Sequence, residues 1–199
     1  LSAADQRRRR PRAGLPVVTR RLLLRELEAA DLAPLQRLAA DRRVAEHAPA
    51  QSRALALVEQ LASRPRPRAQ RPRRSFELAI VLRRSGRLIG ACDLAPSGRG
   101  AADIGYVLGR RHWGFGYGTE VATALVEFAF GILKLRRLVA VVAVENERSR
   151  RVLEKAGLRW DGLMRRHARF AGRWWDCHRY VIDRATWQAA CARRGRAGS

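Results

Sequence analysis

Three glycines alternate through Trp113-Gly114-Phe115-Gly116-Tyr117-Gly118-Thr119-Glu120. An apolar run ends just before them at Leu108, and a helix-like run begins near Glu120. Glycine has no Cβ, so the backbone can turn sharply and a ligand can approach its N–H groups closely. A helix starting near Tyr117 points its first orphan N–H groups into that turn, and its dipole places partial positive charge there. Such a spot suits a phosphate or pyrophosphate. No Gly-Lys-Ser/Thr follows, so this is no Walker loop. The third glycine of the dinucleotide fingerprint is also absent. Taken alone the run reads equally well as a plain turn, and its neighbours decide.

The flanking segments supply a scaffold. Val17 to Leu27 alternates as a first strand, with Leu22 and Leu24 on one face. Ala29 to Ala40 has helical spacing with Asp31 as cap, and a second helix covers Ser52 to Ala62. Phe76 to Leu82, Leu88 to Leu94 and Asp103 to Leu108 form a meander turning at Arg84-Ser85-Gly86 and at Ser97 to Gly100. The helix from Tyr117 to about Leu133 carries one stripe of Val121, Ala124, Leu125, Phe128 and Ile132. Leu138 to Val144 is a continuous apolar run that suits a strand buried on both faces. Asp103 to Val144 is therefore strand, glycine turn, helix, strand, with a right-handed crossover. Glu147 to Lys155 makes a short helix ending at Gly157. Two more strands lie in Gly162 to Ile182, turning near Ala171-Gly172, and Thr186 to Arg193 is a terminal helix.

The chain has 199 residues, 47% of them hydrophobic, which suits one globular domain. Residues 1–16 read as a disordered basic arm, 17–193 as the domain and 194–199 as a flexible tail. Residues 63–74 form an Arg/Pro-rich loop. No run of 18 apolar residues exists, and the first residues do not spell a secretory signal, so the expected location is cytoplasmic, with no membrane. The formal net charge is +23, almost all of it arginine. That excess reads either as a surface for an anionic partner such as the ribosome or RNA, or as codon bias. Three scattered cysteines and four scattered histidines indicate neither a disulfide framework nor a metal site. Cys177 and His178 are adjacent on a strand, so they face opposite ways and make no Cys–His pair.

This order of elements, with Trp-Gly-Phe-Gly-Tyr-Gly at its centre, resembles the GNAT N-acetyltransferase superfamily, and within it the ribosomal-protein N-terminal acetyltransferase branch. The resemblance covers roughly Thr19 to Trp187. It rests on five blocks in order. These are Thr19 to Arg25, Gly86 to Gly90, Ile104 to Leu108 with the glycine loop, Val144 to Leu158, and Gly172 to Asp176. The superfamily's loop pattern Arg/Gln-x-x-Gly-x-Gly/Ala aligns as Trp113-x-x-Gly116-x-Gly118.

The resemblance implies a mixed α/β fold of GNAT type, a splayed and mostly antiparallel sheet with helices on both faces. It implies acetyl-CoA as co-substrate and direct attack by a primary amine. The amine is either a protein N-terminus or a small molecule; a nucleic-acid-binding protein on the same scaffold without turnover is the remaining alternative. The enzyme would be a monomer or homodimer. On this alignment Trp113, Gly114, Phe115, Gly116, Tyr117, Gly118 and Thr119 surround the pyrophosphate, and Leu108 offers backbone to the thioester and its oxyanion. Asn146 meets the CoA arm. Trp113 stands where the family has Arg or Gln, so Arg111 is the candidate replacement. Leu153 stands where many members have a proton-donating tyrosine, so Ser149 is the candidate acid, also near the CoA arm. Asp103 is the candidate base.

Overall fold

The computed structural model describes residues 14–46, 75–170 and 172–196. The helix expected over Ser52 to Ala62, the Arg/Pro-rich loop, residues 1–13 of the basic arm and the last three residues of the tail lie outside them.

Alternating polarity writes the strands. β1 (Val17–Val18), β2 (Leu22–Glu26), β3 (Phe76–Leu82), β4 (Leu88–Gly98) and β5 (Ala101–Leu108) follow one another as antiparallel neighbours. Between β2 and β3 come α1 (Leu32–Ala39) and α2 (Arg42–Glu46). After β5 come α3 (Tyr117–Glu127), β6 (Arg137–Ala143) and α4 (Glu147–Lys155). The hairpin β7 (Arg159–Phe170) and β8 (Arg173–Asp183) and the helix α5 (Arg184–Arg196) end the chain. The sheet order is β1-β2-β3-β4-β5-β6-β8-β7. Among the described strands only β5 and β6 run parallel, and they pair over just three positions, Ala101 with Arg137, Ala102 with Leu138 and Asp103 with Val139. Past Asp103 the two strands part. That splay is the feature that positions everything below.

Two apolar layers cover the sheet. Leu22, Leu24, Leu78, Ile80, Cys92, Leu94, Ile104 and Leu108 pack with Val121, Leu125 and Phe128 of α3. On the other face Ala79, Val81, Ala91 and Val107 pack with Leu27, Leu35 of α1 and Val44 of α2. Each fully buried Leu, Ile, Val or Phe side chain among these contributes about 1.5–3 kcal/mol of transfer free energy.

Several expectations are corrected. The first strand is broken, because Thr19 N–H donates to the Leu22 carbonyl at 2.9 Å and its hydroxyl accepts from Leu22 N–H, making a turn between β1 and β2. Asp31 stands at the N-cap position of α1, but its side chain makes no hydrogen bond into that helix. It is buried in a bidentate pair with Arg25 at 2.7 and 2.8 Å and accepts from Glu28 N–H. Ile132 leaves the α3 stripe and is 51% exposed, because Phe128–Ile132 continues as a π-turn whose wider repeat rotates the last residue off the buried face. β6 is not buried on both sides; Leu138, Ala140 and Val142 are buried while Val139 and Val141 are half-buried. Leu15, placed in the basic arm by composition, packs into the core.

Candidate active site

The glycine loop takes its shape from two left-handed residues. Gly114 has φ +83 and Gly116 φ +78, a region where a side chain costs roughly 1–2 kcal/mol. Gly116 is the N-cap of α3, and Glu120 N–H makes the first intrahelical bond to its carbonyl at 3.1 Å. The N–H groups of Tyr117, Gly118 and Thr119 therefore stand ahead of the hydrogen-bonded ladder, as an anion site requires. Space beside Gly114 is open. Gly118 serves a different need: a Cβ there would lie 3.3–3.4 Å from Tyr106 and Val152, so its absence lets α3 settle against β5 and α4.

An acid–base clamp fixes this loop. Glu120 accepts from the Thr19 hydroxyl at 2.6 Å, from Arg21 N–H at 2.8 Å and from Arg21 Nε at 2.7 Å. Arg21 also donates to the Phe115 carbonyl at 2.9 Å and lies 4.5 Å over the Tyr117 ring. Burial alone would raise the Glu120 carboxyl, but the Thr19 and Arg21 donors outweigh it and hold it below the ordinary range. Arg21, neutralised by Glu120, thus sets the loop's path at the helix start.

The cleft wall comes from strand register. Gly109 N–H bonds the Ile89 carbonyl at 2.9 Å, so Ile89 and Gly109 form a hydrogen-bonded pair and Gly90 and Leu108 a non-bonded one. By that alternation the N–H and C=O of Leu108 point away from β4, toward the side where β6 has parted. Trp113 Nε1 donates to the Leu108 carbonyl at 2.7 Å, and Arg148 lies 5.7 Å over the same indole from the α4 side. So the residue at the family's Arg/Gln position closes one backbone acceptor at the cleft mouth. Arg111 sits exposed in the turn Arg110–His112 between β5 and the glycines.

Across the cleft, Asn146 caps α4, its Oδ1 accepting from Ser149 N–H at 3.0 Å. Ser149 is buried, and its hydroxyl lies 3.2 Å from the Tyr106 hydroxyl. Leu153 is buried in the core. Asp103 is not brought to this group. It is the last β5 residue paired with β6, five positions before Leu108 or about 16 Å along a strand. Strand alternation also puts it on the opposite face from Tyr106. There it shares a face with Asp93 and Glu77.

Tyr106, Glu120 and the loop-setting part of Arg21 were not singled out from sequence. Period-two alternation from Leu108 would have pointed to Tyr106; nothing local signals a contact between Thr19 and Glu120, 101 positions apart.

Splayed parallel strands with a glycine-started helix at their mouth form the candidate cleft. Residues 21–159 match the model of the acetyltransferase (GNAT) domain family. The chain belongs to that family of acetyl-transferring enzymes. Over 104 residues it is 40% identical to YjcK of Bacillus subtilis strain 168, a probable N-acetyltransferase, covering 51% of this chain and 58% of YjcK. It is 27% identical over 176 residues to YnaD of the same organism, itself uncharacterized, covering 86% of this chain and 98% of YnaD. The YjcK match thus spans less than two thirds of that relative's length.

Among solved structures, the spermidine N-acetyltransferase of Vibrio cholerae with CoA and spermine superposes with a TM-score of 0.69 at 20% identity. It covers 85% of this chain and 99% of that one. A Vibrio cholerae structure described as a ribosomal-protein-serine acetyltransferase gives 0.62 at 22% identity, covering 84% and 96%. These show the shared fold. Among the described residues no helix is long and apolar enough to cross a membrane.

Proposed function

We propose that this protein transfers acetyl from acetyl-CoA to a primary amine, most favourably the α-amine of a protein N-terminus. The observation that carries this reading is the parting of β5 and β6 beyond Asp103 with the α3 N-terminus at its mouth. The residues fit the co-substrate. The N–H groups of Tyr117, Gly118 and Thr119, ahead of the α3 ladder, suit the pyrophosphate, open space at Gly114 admits it, and Arg148 adds positive charge nearby. Acetyl-CoA supplies an activated acyl group; the protein supplies position and charge.

In this mechanism the Leu108 N–H, directed into the cleft, stabilises negative charge on the acyl oxygen as the amine attacks. Holding both reactants together replaces a bimolecular encounter by an oriented one. Ser149 donates a proton to the departing sulfur. An N-terminal amine has a pKa near 8 and is partly neutral at physiological pH, so it needs only weak base assistance. Asp103, the base expected from sequence, lies about 16 Å along β5 from Leu108 and on the opposite face, so in this reading solvent takes the proton from the amine.

The acceptor assignment rests on the five sequence blocks and on charge. A chain of net charge +23 repels polycations such as spermine over long range. A small cationic amine is the second reading, favoured by the carboxylates Glu77, Asp93 and Asp103 on one sheet face. Thiol release from acetyl-CoA with free-N-terminus peptides, N-terminally blocked peptides and polyamines separates the two. Peptide turnover that disappears on blocking supports the first reading. Polyamine turnover without peptide turnover overturns it.

A further inference from the structure

Ser149 has an unusual neighbour for a proton donor. Its hydroxyl lies 3.2 Å from that of Tyr106, in a pair that joins α4 to β5 across the splayed strands. Asn146 Oδ1 fixes the Ser149 backbone, and the missing Cβ of Gly118, which would lie 3.4 Å from the Tyr106 oxygen, leaves room for the phenol under the first turn of α3. Three elements thus converge on one hydroxyl pair, and core packing alone would be met by a phenylalanine.

An alcohol is a far weaker acid than a phenol, and a thiol is stronger than either, with a pKa near 8.5 for cysteine against about 10 for tyrosine. A serine that gave up its proton alone would end as an alkoxide, a poor outcome for protonating a thiolate. A serine that gives one proton while receiving another does not. We propose that Tyr106 and Ser149 form a two-hydroxyl proton relay, in which Tyr106 resupplies Ser149 as the leaving sulfur is protonated.

In this step the acyl C–S bond breaks and its electron pair goes to sulfur. Sulfur takes the Ser149 proton, Ser149 Oγ takes the Tyr106 proton, and the charge rests on the phenolate. The proton released by the acceptor nitrogen as its C–N bond forms returns to Tyr106 through solvent, so no other reactant is needed. Tyr106 touches no substrate atom and acts through Ser149. Burial raises its phenol above the ordinary value, and the Ser149 hydrogen bond lowers it in part. The phenol therefore enters each turnover protonated.

This relay rests on Ser149 being the donor to sulfur, and the test separates the two ideas. The chain holds only three tyrosines, so tyrosinate absorbance titration with Tyr106→Phe as blank isolates the Tyr106 phenol. In Ser149→Ala the Tyr106 midpoint should move to higher pH, because the hydrogen bond that favours the phenolate is gone; an unmoved midpoint overturns the pairing. In turnover, Tyr106→Phe should lower kcat roughly 10-fold or more with unchanged acetyl-CoA affinity and little change in melting temperature. The double variant should be no slower than Ser149→Ala alone, as expected for two groups acting as one unit. Additive losses, or wild-type kcat in Tyr106→Phe, overturn the relay and leave Ser149 as a lone donor. Wild-type kcat in Ser149→Ala overturns both.

Discussion

Replacing Glu120 by Gln tests whether the clamp between the β1–β2 turn and α3 sets the glycine loop. Gln keeps an acceptor oxygen for both Thr19 and the Arg21 N–H but turns an amide NH₂ toward Arg21 Nε, where the wild type has a 2.7 Å charged bond. Charged hydrogen bonds contribute about 1.5–3 kcal/mol. The side chains are 33% and 15% exposed, so solvent screening reduces this to about 1–2 kcal/mol. For a chain of this size that lowers Tm by about 2–8 °C.

The pH dependence gives the sharper test. Glu120 is held below its ordinary value, so its contribution is fully present above about pH 4.3 and is lost as pH falls through the lowered value. The Tm gap between wild type and variant should be wide at pH 7 and narrower at an acid pH below the ordinary glutamate range. Acetyl-CoA affinity measured by calorimetry at neutral pH should fall several-fold as the loop loosens. A gap that is absent at pH 7, or equal at both pH values, refutes the reasoning.

Gly116→Val forces a branched side chain onto φ +78 and toward Arg21, and should abolish measurable acetyl-CoA binding by calorimetry. The strain should also lower Tm by several degrees. Wild-type affinity in that variant would falsify the loop's role. Trp113→Phe removes the donor to the Leu108 carbonyl and should cost about 0.5–1.5 kcal/mol in urea unfolding. An unchanged unfolding midpoint would mean that water replaces the indole without loss.

Much of the scaffold was legible because it is written in local periods. The α3 stripe, the glycine C′ position after α4, where Gly157 has φ +92, and the hairpin turn near Gly172 follow from spacing alone. The splay was reached only through the family resemblance, since no residue pattern states where β6 stops pairing with β5. Asp31 misled because a carboxylate before an apolar helix reads as a cap, and only the fold shows Arg25 within reach. Ile132 misled because the stripe was extended at a constant 3.6-residue repeat through Phe128–Ile132, where the helix widens into a π-turn. The loop residues could be named from sequence, but the partners that hold them, Arg21 with Glu120 and Tyr106 with Ser149, are 99 and 43 positions apart. Pairings of that range are set by the sheet order and by α3 crossing it.

Direct transfer within one cleft is the central claim, and a single-turnover experiment with enzyme in excess addresses it. Enzyme and acetyl-CoA are mixed with and without a peptide bearing a free N-terminus, and thiol release and the mass of every species are followed. The account predicts no thiol release and no acetylated enzyme without the peptide, and one acetylated α-amine per thiol released with it. Thiol release and an acetylated enzyme in the absence of any acceptor would contradict direct attack.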